Sequence, residues 1–554
     1  MRAGRAREAA LTILAAVALA VVFTWPIAPR LGHVGRVDSG DGQYSIWNVA
    51  WVARALTRDP LHVFDANIFH PTKGTLAYSE PNIGAGALAV PVWLATGNPI
   101  AAHNSVVLLA FVLSLLSTWA LAHHLTARRD ASWLAAVAYA FCPYAMSHLA
   151  HIQLLMSFGV PLALLALHCL VARVSLARGA VLGTALFAAG ISCGYYGILA
   201  GLAVGLGALY YAWTRGLWRT ARYWGALLLA AAIAGVLLLP FLLPYVALQD
   251  APGYERPLDA SIRWSASWRS WLASGAWAHR WWLPRLGAWG EVLFPGWLLL
   301  WLGLMGVALA PRRRGALGST PRECPPLHET AGFYGLLGVL AFWASFGPGA
   351  GLYAALYRVV PFFSLLRAPS RFGLLTVLAL AVASAIAVTI VTRRRRTALL
   401  FAALVGLELF AGPIRWPTVG SPGPAHRLLA QLPPAPVAEF PFFATRADWW
   451  RHTRYMLAST WHWRPIVNGY SDYAPPGFWP MAEVLRDFPS DEGLAHLEAR
   501  GVRYVVFHLG FYDGPERDAL TERLAQYRYR LRPIHQKDTV WLFEVEAAGL
   551  PGSR

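Results

Sequence analysis

Charged residues are scarce in this chain: 14% of its 554 residues are Asp, Glu, Lys or Arg, whereas 56% are hydrophobic. A soluble protein of this length needs more charge to cover its surface. The apolar residues also gather in runs of about 16 to 25, the length that a helix needs to cross roughly 30 Å of hydrocarbon. The shortage of charge therefore excludes an ordinary soluble protein and predicts an integral membrane protein that crosses the bilayer many times.

Cysteine is rare as well, with four residues in the chain. Cys142, Cys169 and Cys193 lie in apolar runs, and Cys324 lies in an arginine-bearing loop. None falls in a segment that we place outside the cytoplasm, so we expect no disulfide and no cysteine metal site. The sequence also shows no internal repeat, although secondary transporters usually contain one.

Acidic residues are few in the first three quarters of the chain, with 14 before residue 417 and 15 after it. The formal net charge is +18, which on a soluble protein would indicate a nucleic-acid partner. Here the arginines sit at the ends of apolar runs, where they set topology, so we expect no nucleic-acid partner. The 14 early acidic residues are therefore the first candidates for a functional site.

Eleven apolar runs are predicted to be transmembrane spans. They cover 9–28, 104–126, 131–147, 154–173, 180–193, 197–214, 223–246, 291–310, 330–347, 371–391 and 397–413. Six basic clusters flank them, at 2–7, 128–129, 173–178, 215–222, 312–314 and 393–396. With the N-terminus inside, all six clusters lie on the cytoplasmic side, as the positive-inside rule requires. This agreement requires that 83–98 is an interfacial or half-inserted helix rather than a full span.

The basic N-terminus and the apolar run after it also fit a secretory signal peptide. We prefer an uncleaved first span, because the run is long and has no clear small-x-small cleavage site. The sequence thus predicts a multi-pass protein of the cell inner (plasma) membrane, with the lipid bilayer as a partner. Residues 1–416 form a transmembrane domain with large outer loops at 29–103 and 247–290. Residues 417–554 form an extracytoplasmic domain.

This C-terminal segment has ordinary charge density and ordinary periodicity. Apolar runs predict strands at 437–443, 502–508, 530–535 and 540–545, and helices at 481–487, 492–500 and 515–527. The predicted fold class is therefore mainly α: a polytopic transmembrane helical bundle followed by a small α/β domain with a mixed sheet.

The first outer loop carries the strongest chemical signal, because Asp38 and Asp41 follow directly after the first span. A carboxylate at the bilayer edge can act as a general base or hold a divalent cation. The glycines on both sides of Asp41 allow a ligand to approach the backbone closely. The alternative is a polar loop in which Asp41 caps the next helix, and the spacing alone does not decide between the two. Asp65, His70 and Glu80 are further candidates in the same loop.

Tryptophan marks both large outer loops. In the first, Trp47, Trp51 and Leu56 share one face of an amphipathic stretch that we expect to lie on the membrane surface, held by its indoles. In the second, the tryptophans between Trp264 and Trp282 alternate with arginines. That pattern favours an interfacial helix over a surface for single-stranded nucleic acid.

Other candidates follow from the predicted topology. His148 and His151 lie at the outer end of the third span and could bind phosphate or contribute to a metal site. Arg367 and Arg371 lie where the tenth span begins, and guanidinium groups suit phosphate oxygens. Glu291 is expected to face a cavity or an arginine, because a lipid-exposed glutamate is costly. The plainer alternatives are a histidine pair without a ligand and arginines that extend to the interface.

The order of these elements resembles the GT-C superfamily, membrane glycosyltransferases that take sugar from a polyprenyl-phosphate carrier. The shared features are a first span, a long outer loop with an early acidic residue, surface helices, and a span that ends in a basic turn, here 124–129. The next helix leads to Phe-Cys-Pro-Tyr at 141–144, as in aminoarabinose and mannosyl transferases. The turns at 148–153 and 367–372 also resemble those of uncharacterised bacterial members. The chain lacks the adjacent Asp-Glu or Asp-x-Asp pair of the best-studied members, which leaves the acceptor class and metal dependence open.

The resemblance implies an inverting glycosyltransferase that moves a sugar from undecaprenyl or another polyprenyl phosphate to an extracytoplasmic acceptor: a glycan, a lipid or a protein. In this interpretation Asp41 is the base, and Asp38 assists it or helps to hold a divalent metal ion as cofactor. Arg367 and Arg371, with His148 or His151, hold the donor phosphate.

The alternative function is a transporter or flippase of lipid-linked sugars. Such proteins usually have inverted repeats and ionisable residues deep within their spans. Glu408 is the clearest acidic residue within a predicted span. A third possibility is an assembly protein whose tail recruits partners.

Overall fold

The computed structural model describes residues 2–248, 257–313, 326–360, 363–420 and 422–546. Cys324 and Arg314, which the sequence places in a cytoplasmic loop, lie outside these ranges. The described chain divides into two compact units. The first, here called the helical unit, comprises Met1–Arg30 and Ser105–Arg415. The second, here called the loop–sheet unit, comprises Leu31–Asn104 and Trp416–Arg554.

The helices of the helical unit coincide with all eleven predicted spans. Their bounds are Arg2–Phe23, Pro99–Thr126 (shared with the other unit), Arg129–Ala140, Pro143–Ser147, Ile152–Leu155, Gly159–Ala172, Leu176–Ser192, Gly194–Thr214, Ala221–Val246, Trp297–Leu309, Leu327–Ser345, Leu352–Val359, Gly373–Val391 and Arg395–Leu409. Six helical stretches are long and apolar enough to cross a membrane: Ala6–Phe23, Pro99–Thr126, Ile152–Ala172, Gly194–Thr214, Ala221–Val246 and Pro369–Val391. Leu176–Ser192 and Trp297–Leu309 are shorter apolar helices. The predicted polytopic helical bundle is thus confirmed.

Small residues allow the helices of this unit to pack closely. A Cβ at Gly306 would lie 2.0 Å from the carbonyl oxygen of Ala383, and one at Gly179 would lie 2.4 Å from that of Ala226. Only glycine fits at such backbone contacts. Close packing at small residues is the usual way that transmembrane helices associate, because in lipid the hydrophobic effect does not drive helices together. The Gly373–Val391 helix is buried along most of its length, so it lies inside the bundle.

The loop–sheet unit contains seven helices in its described residues: Gly40–Arg58, Ile83–Thr96, Pro424–Gln431, Thr453–Ser459, Phe478–Arg486, Asp491–Glu498 and Gly514–Gln526. Its strands are β1 (Val437–Phe440), β2 (Tyr504–His508), β3 (Leu531–His535) and β4 (Val540–Val545). The sheet order is β1-β2-β4-β3, with β1 parallel to β2 and the other pairs antiparallel. The predicted small α/β domain with a mixed sheet is therefore confirmed.

Asn67 joins the first loop to the C-terminal segment inside this unit. Its amide nitrogen donates to Ser459 Oγ at 3.0 Å and to the carbonyl of Arg464 at 3.1 Å, and its oxygen accepts from Trp47 Nε1 at 3.0 Å. The sequence analysis assigned this loop to the transmembrane domain, at 1–416. In the structure the loop clusters instead with the C-terminal residues.

Two expectations about tryptophan are wrong. Trp47 and Trp51 do not face lipid: they are 0% and 8% exposed, and Trp51 Nε1 donates to the carbonyl of Val63 at 2.9 Å. The second outer loop is not one interfacial helix. Its described part forms short 3-10 turns at Leu258–Trp264, Ser270–Leu272 and Arg280–Arg285. A buried indole N–H group usually has a hydrogen-bond acceptor. The periodicity of tryptophans in a sequence shows that they share a helix face, but it does not show whether lipid or protein covers that face.

Candidate functional site

A buried polar cluster lies in the helical unit, where three connections between helices meet. His148 Nε2 lies 3.4 Å from Glu291 Oε2, and Ser370 Oγ donates to Glu291 Oε1 at 3.3 Å. The side chains of His148 and Glu291 are 13% and 10% exposed. The charge of Arg371 acts on both of these groups, and that of His151 acts on Glu291. We call His148, His151, Glu291, Ser370 and Arg371 the arginine cluster.

Arg371 is positioned by a turn that the proline at 369 predicts. The chain forms a 3-10 turn over Pro369–Phe372, and the long helix then begins at Gly373. Tyr195 holds the start of this turn, because its hydroxyl donates to the carbonyl of Ala368 at 2.6 Å and accepts from the Ala368 N–H at 2.8 Å. The guanidinium carbon of Arg371 lies 4.3 Å from the centre of the Tyr195 ring. An aromatic ring face thus orients the arginine without neutralising its charge.

The charges in the arginine cluster favour an anion. Burial raises the pKa of Glu291, against the opposing effect of Arg371. Burial also lowers the pKa of His148 to about 3, so this imidazole is neutral and its contact with Glu291 is not an ion pair. Arg371 brings a permanent positive charge to this buried cluster. Such a half-buried guanidinium is suited to bind a phosphate.

The second arginine of the predicted pair has a different neighbour. The guanidinium carbon of Arg367 lies 5.9 Å from the ring centre of Trp264, in the second outer loop. His151 lies beside His148, with ring centres 5.6 Å apart. Four residues are predicted from the sequence to form one phosphate site: His148, His151, Arg367 and Arg371. The structure brings three of them together and adds Glu291 and Ser370, of which Ser370 was missed.

Asp41 lies in the first turn of the Gly40–Arg58 helix of the loop–sheet unit and is exposed. The capping residue of this helix is Ser39, whose Oγ accepts from the Gly42 N–H at 3.2 Å. The alternative reading of Asp41 as the cap is therefore wrong. Its carboxylate is held near the positive end of the helix dipole, which favours the charged form.

The glycines beside Asp41 serve the fold rather than a ligand. A Cβ at Gly42 would lie 1.7 Å from the carbonyl oxygen of Arg36, and one at Gly40 would lie 3.1 Å from the Trp450 ring. Other residues of the same chain, Arg36 and Trp450, therefore occupy the space beside these glycines. The expectation that a ligand approaches there is not supported by these contacts.

Asp38 is engaged by a neighbouring arginine. Nε and Nη2 of Arg36 donate to its two carboxylate oxygens at 3.0 and 3.2 Å. This two-point contact occupies the oxygen atoms that a cation would need. Among the described residues, Asp38 and Asp41 do not belong to a group of three or more side chains that could hold a metal ion. The two aspartates therefore do not fit the divalent-metal site considered from the sequence.

A polar group that the sequence analysis missed lies on the same helix as Asp41. The Tyr44 hydroxyl accepts from Asn48 Nδ2 at 3.3 Å, and Ser79 Oγ donates to Asp472 Oδ2 at 3.1 Å. Burial raises the pKa of Tyr44 to about 12, and the charge of Asp472 adds to this effect. Tyrosine, asparagine and aspartate side chains suit the hydroxyl groups of a sugar or another polyol. No local signal connects Asp472 with residues nearly 400 positions earlier.

The remaining candidates of the first loop have structural contacts. Asp65 Oδ1 accepts from the Gly74 N–H at 2.8 Å and closes a turn. His70 Nε2 lies 3.0 Å from the carbonyl oxygen of Arg500, and burial lowers the pKa of this imidazole. The carbonyl of Glu80 accepts from Asn48 Nδ2 at 3.2 Å. These contacts support the loop and give Asp65 and His70 no evident chemical role.

Glu408 caps a helix across the helical unit. Its carboxylate accepts from the N–H groups of Trp297 and Leu298 at 2.6 and 3.1 Å, and it contacts His279 Nε2 at 3.0 Å. These are the unpaired N–H groups at the start of the Trp297–Leu309 helix. The clearest acidic residue within a predicted span therefore has a structural function.

Comparison with known proteins finds no matching family model and no matching curated protein. Among solved structures, the arabinofuranosyltransferase AftD from Mycobacteria matches with a TM-score of 0.60 and 15% identity, covering 97% of this chain and 41% of that one. The oligosaccharyltransferase of Archaeoglobus fulgidus, in complex with Zn and sulfate, matches at 0.44 and 13%, covering 94% and 71%. ArnT from Cupriavidus metallidurans bound to undecaprenyl phosphate matches at 0.42 and 14%, covering 98% of each chain. The first similarity shows a shared fold, and this chain spans less than half of that relative's length.

Proposed function

We propose that this chain, which has the fold of the GT-C membrane glycosyltransferases, transfers a sugar from a polyprenyl-phosphate carrier to an extracytoplasmic acceptor. The observation that carries this proposal is the arginine cluster. It holds a guanidinium on an aromatic face, beside a buried carboxyl group and two imidazoles, in a unit built of apolar helices. A lipid phosphate is an anion that reaches such a position from within a bilayer.

On the donor side, Arg371 binds the phosphate of the carrier. As the sugar departs, the phosphate oxygen gains negative charge, and a fixed guanidinium stabilises that charge more in the transition state than in the ground state. His151 donates a further hydrogen bond to the phosphate, and His148, whose Nδ1–H donates to the carbonyl of Tyr144 at 2.7 Å, lines the site beside Glu291. Arg367, four residues before Arg371, is proposed as the second cation of the site.

On the acceptor side, Asp41 takes the proton of the acceptor hydroxyl. The hydroxyl oxygen forms a bond to the anomeric carbon while the bond from that carbon to the phosphate oxygen breaks. Attack from the face opposite the leaving phosphate inverts the configuration. Asp38 takes part by holding Arg36 beside the start of the helix, and both of its carboxylate oxygens are engaged by that arginine.

The proposal is tested with purified protein in lipid nanodiscs. Undecaprenyl phosphate should raise the melting temperature of the wild type, whereas undecaprenol, which lacks the phosphate, should not. Arg371→Ala should abolish the effect. Arg280→Ala is a matched control, because Arg280 also lies over an aromatic ring, that of Trp277 at 3.2 Å, but outside the arginine cluster. An equal response to both lipids would overturn the phosphate site.

Sugar transfer itself is then measured with a panel of polyprenyl-phosphate sugars and cell-envelope acceptors. Appearance of a glycosylated product that depends on Arg371 and Asp41 supports the enzyme. Movement of intact lipid-linked sugar across a vesicle membrane, without loss of the sugar, would instead support the transporter or flippase.

A further inference from the structure

A second cluster of ionisable groups lies in the loop–sheet unit, apart from every residue in the proposed transfer. Glu439 lies on β1, at one edge of the sheet, and is 0% exposed. His508, at the end of the neighbouring strand β2, brings Nε2 to 2.5 Å from Glu439 Oε2. His426, on the Pro424–Gln431 helix, brings its own Nε2 to 3.6 Å from the same oxygen. One nitrogen or oxygen from each of the three residues lies within 4.8 Å of the others.

Buried polar atoms in this cluster lack hydrogen bonds. His426 is 5% exposed, and its Nε2 has no hydrogen-bond partner. The second carboxylate oxygen of Glu439, Oε1, has none either. A buried polar atom without a partner destabilises the fold, and an uncompensated buried carboxylate does so more strongly. A bound cation would account for both atoms, one of which belongs to the buried acid itself.

We propose that His426, Glu439 and His508 bind a divalent transition-metal ion, with zinc as the best fit. Two imidazole nitrogens and one carboxylate oxygen are a common zinc ligand set, and harder ions such as Mg²⁺ and Ca²⁺ prefer oxygen ligands alone. The ion supplies the positive charge that a buried carboxylate requires, and it uses the lone pair of His426 Nε2. This site is independent of the proposed sugar transfer and differs from the metal site considered at Asp38 and Asp41.

The geometry requires only small movements. Tetrahedral zinc with bonds of about 2.0–2.1 Å separates its ligand atoms by roughly 3.3 Å. The His426–Glu439 distance of 3.6 Å is close to this value. The His508–Glu439 contact of 2.5 Å must open by a little under about 1 Å. The side chain of His508 is 15% exposed, so it provides the path by which an ion enters and a water molecule completes the coordination.

A third nearby imidazole is not a ligand. The rings of His462 and His426 lie parallel with centres 6.1 Å apart. However, His462 Nδ1 accepts from the Arg464 N–H at 3.1 Å, so in the neutral ring the proton sits on Nε2 and that atom offers no lone pair. The site therefore has three protein ligands, and they join one helix to two strands of the sheet. Binding energy at such a site is also folding energy.

The inference is tested on the full chain purified in detergent. Metal analysis by mass spectrometry should find about one zinc per chain. After removal with a chelator, zinc should restore the melting temperature, and cobalt should give the visible absorption of a tetrahedral site. Glu439→Gln and His508→Ala should each weaken zinc binding by at least about 100-fold, because even the hydrogen-bond partners of metal ligands are worth about 10- to 100-fold.

His496→Ala is the matched control, since this histidine belongs to the same unit and contacts Arg500 outside the cluster. It should bind zinc like the wild type. If Glu439→Gln fails to fold, two measurements still test the site. One is zinc binding by His508→Ala, because the His508 side chain is partly exposed. The other is the X-ray absorption spectrum of the zinc-loaded wild type, which should show two imidazole ligands. A stripped wild type that binds zinc no more tightly than His508→Ala would overturn the inference, and the cluster would then be a metal-free hydrogen-bonded group.

Discussion

Replacement of Arg371 tests the proposed donor site most directly. A guanidinium and a phosphate about 4 Å apart attract each other by about 4 kcal/mol at an effective dielectric constant near 20. Removal of the bound phosphate from water offsets part of this attraction, which leaves about 1.5–3 kcal/mol for a charge-assisted hydrogen bond. Burial disfavours the ionised form of Glu291, which weakens its competition with a bound phosphate for the arginine's charge. Arg371→Ala should therefore weaken donor binding by about 10- to 150-fold.

The effect on turnover should be larger. Loss of one donor that stabilises developing negative charge lowers kcat by about 10²- to 10³-fold. Arg371→Lys keeps the charge but loses the two-point contact, so it should lower kcat more than donor affinity. Arg367→Ala should have a smaller effect, since the Arg367 guanidinium lies beside the Trp264 ring.

The assay is single-turnover transfer from a polyprenyl-phosphate sugar in nanodiscs, together with direct measurement of donor binding. Arg371 stacks on Tyr195, and loss of this contact costs about 0.5–2 kcal/mol of stability, so each variant needs a melting curve. Arg280→Ala controls for the loss of a stacked arginine elsewhere. If folded Arg371→Ala retains kcat within about threefold of the wild type, the argument from charge is refuted and the phosphate is held elsewhere.

The remaining predictions concern the acceptor base, the fold and the topology. Asp41→Asn should lower transfer by about 10²- to 10⁴-fold with an unchanged melting curve, because the residue is exposed; activity near that of the wild type would exclude it as the base. Asn67→Ala should destabilise the loop–sheet unit by about 2–4 kcal/mol in urea unfolding, since it leaves the Trp47 N–H and other buried groups unpaired, and an unchanged midpoint would contradict this. Glu408→Gln should lower the free energy of unfolding by about 1 kcal/mol, because it weakens the helix cap. If the chain transports lipid-linked sugar, undiminished transport by this variant would show that the charge of Glu408 is not used for it. An impermeant thiol reagent should label a cysteine at Gly420 but not one at Arg395 in intact cells, and labelling at Arg395 would reverse the predicted orientation.

The long-range structure of the site could not be predicted from local patterns. His148, Glu291 and Arg371 were named one by one from their positions at helix ends, but their contacts connect residues more than 70 positions apart. Ser370 was missed because a serine in a turn has no distinctive signal. Glu408 can cap a helix only because the start of the Trp297–Leu309 helix packs beside it. The length of a hydrophobic run does not show which helices pack together.

The sequence by itself determined the features that depend on local chemistry. Runs long enough to cross hydrocarbon must be helical, because a bilayer leaves the backbone no other hydrogen-bond partners, and short apolar runs between turn residues predicted the strands of the tail. Only the tertiary structure decided where buried polar groups find their partners. The first loop clusters with the tail through Asn67, and Glu439 meets two histidines from other elements, because a buried amide or carboxylate is stabilised by whichever group the fold brings to it.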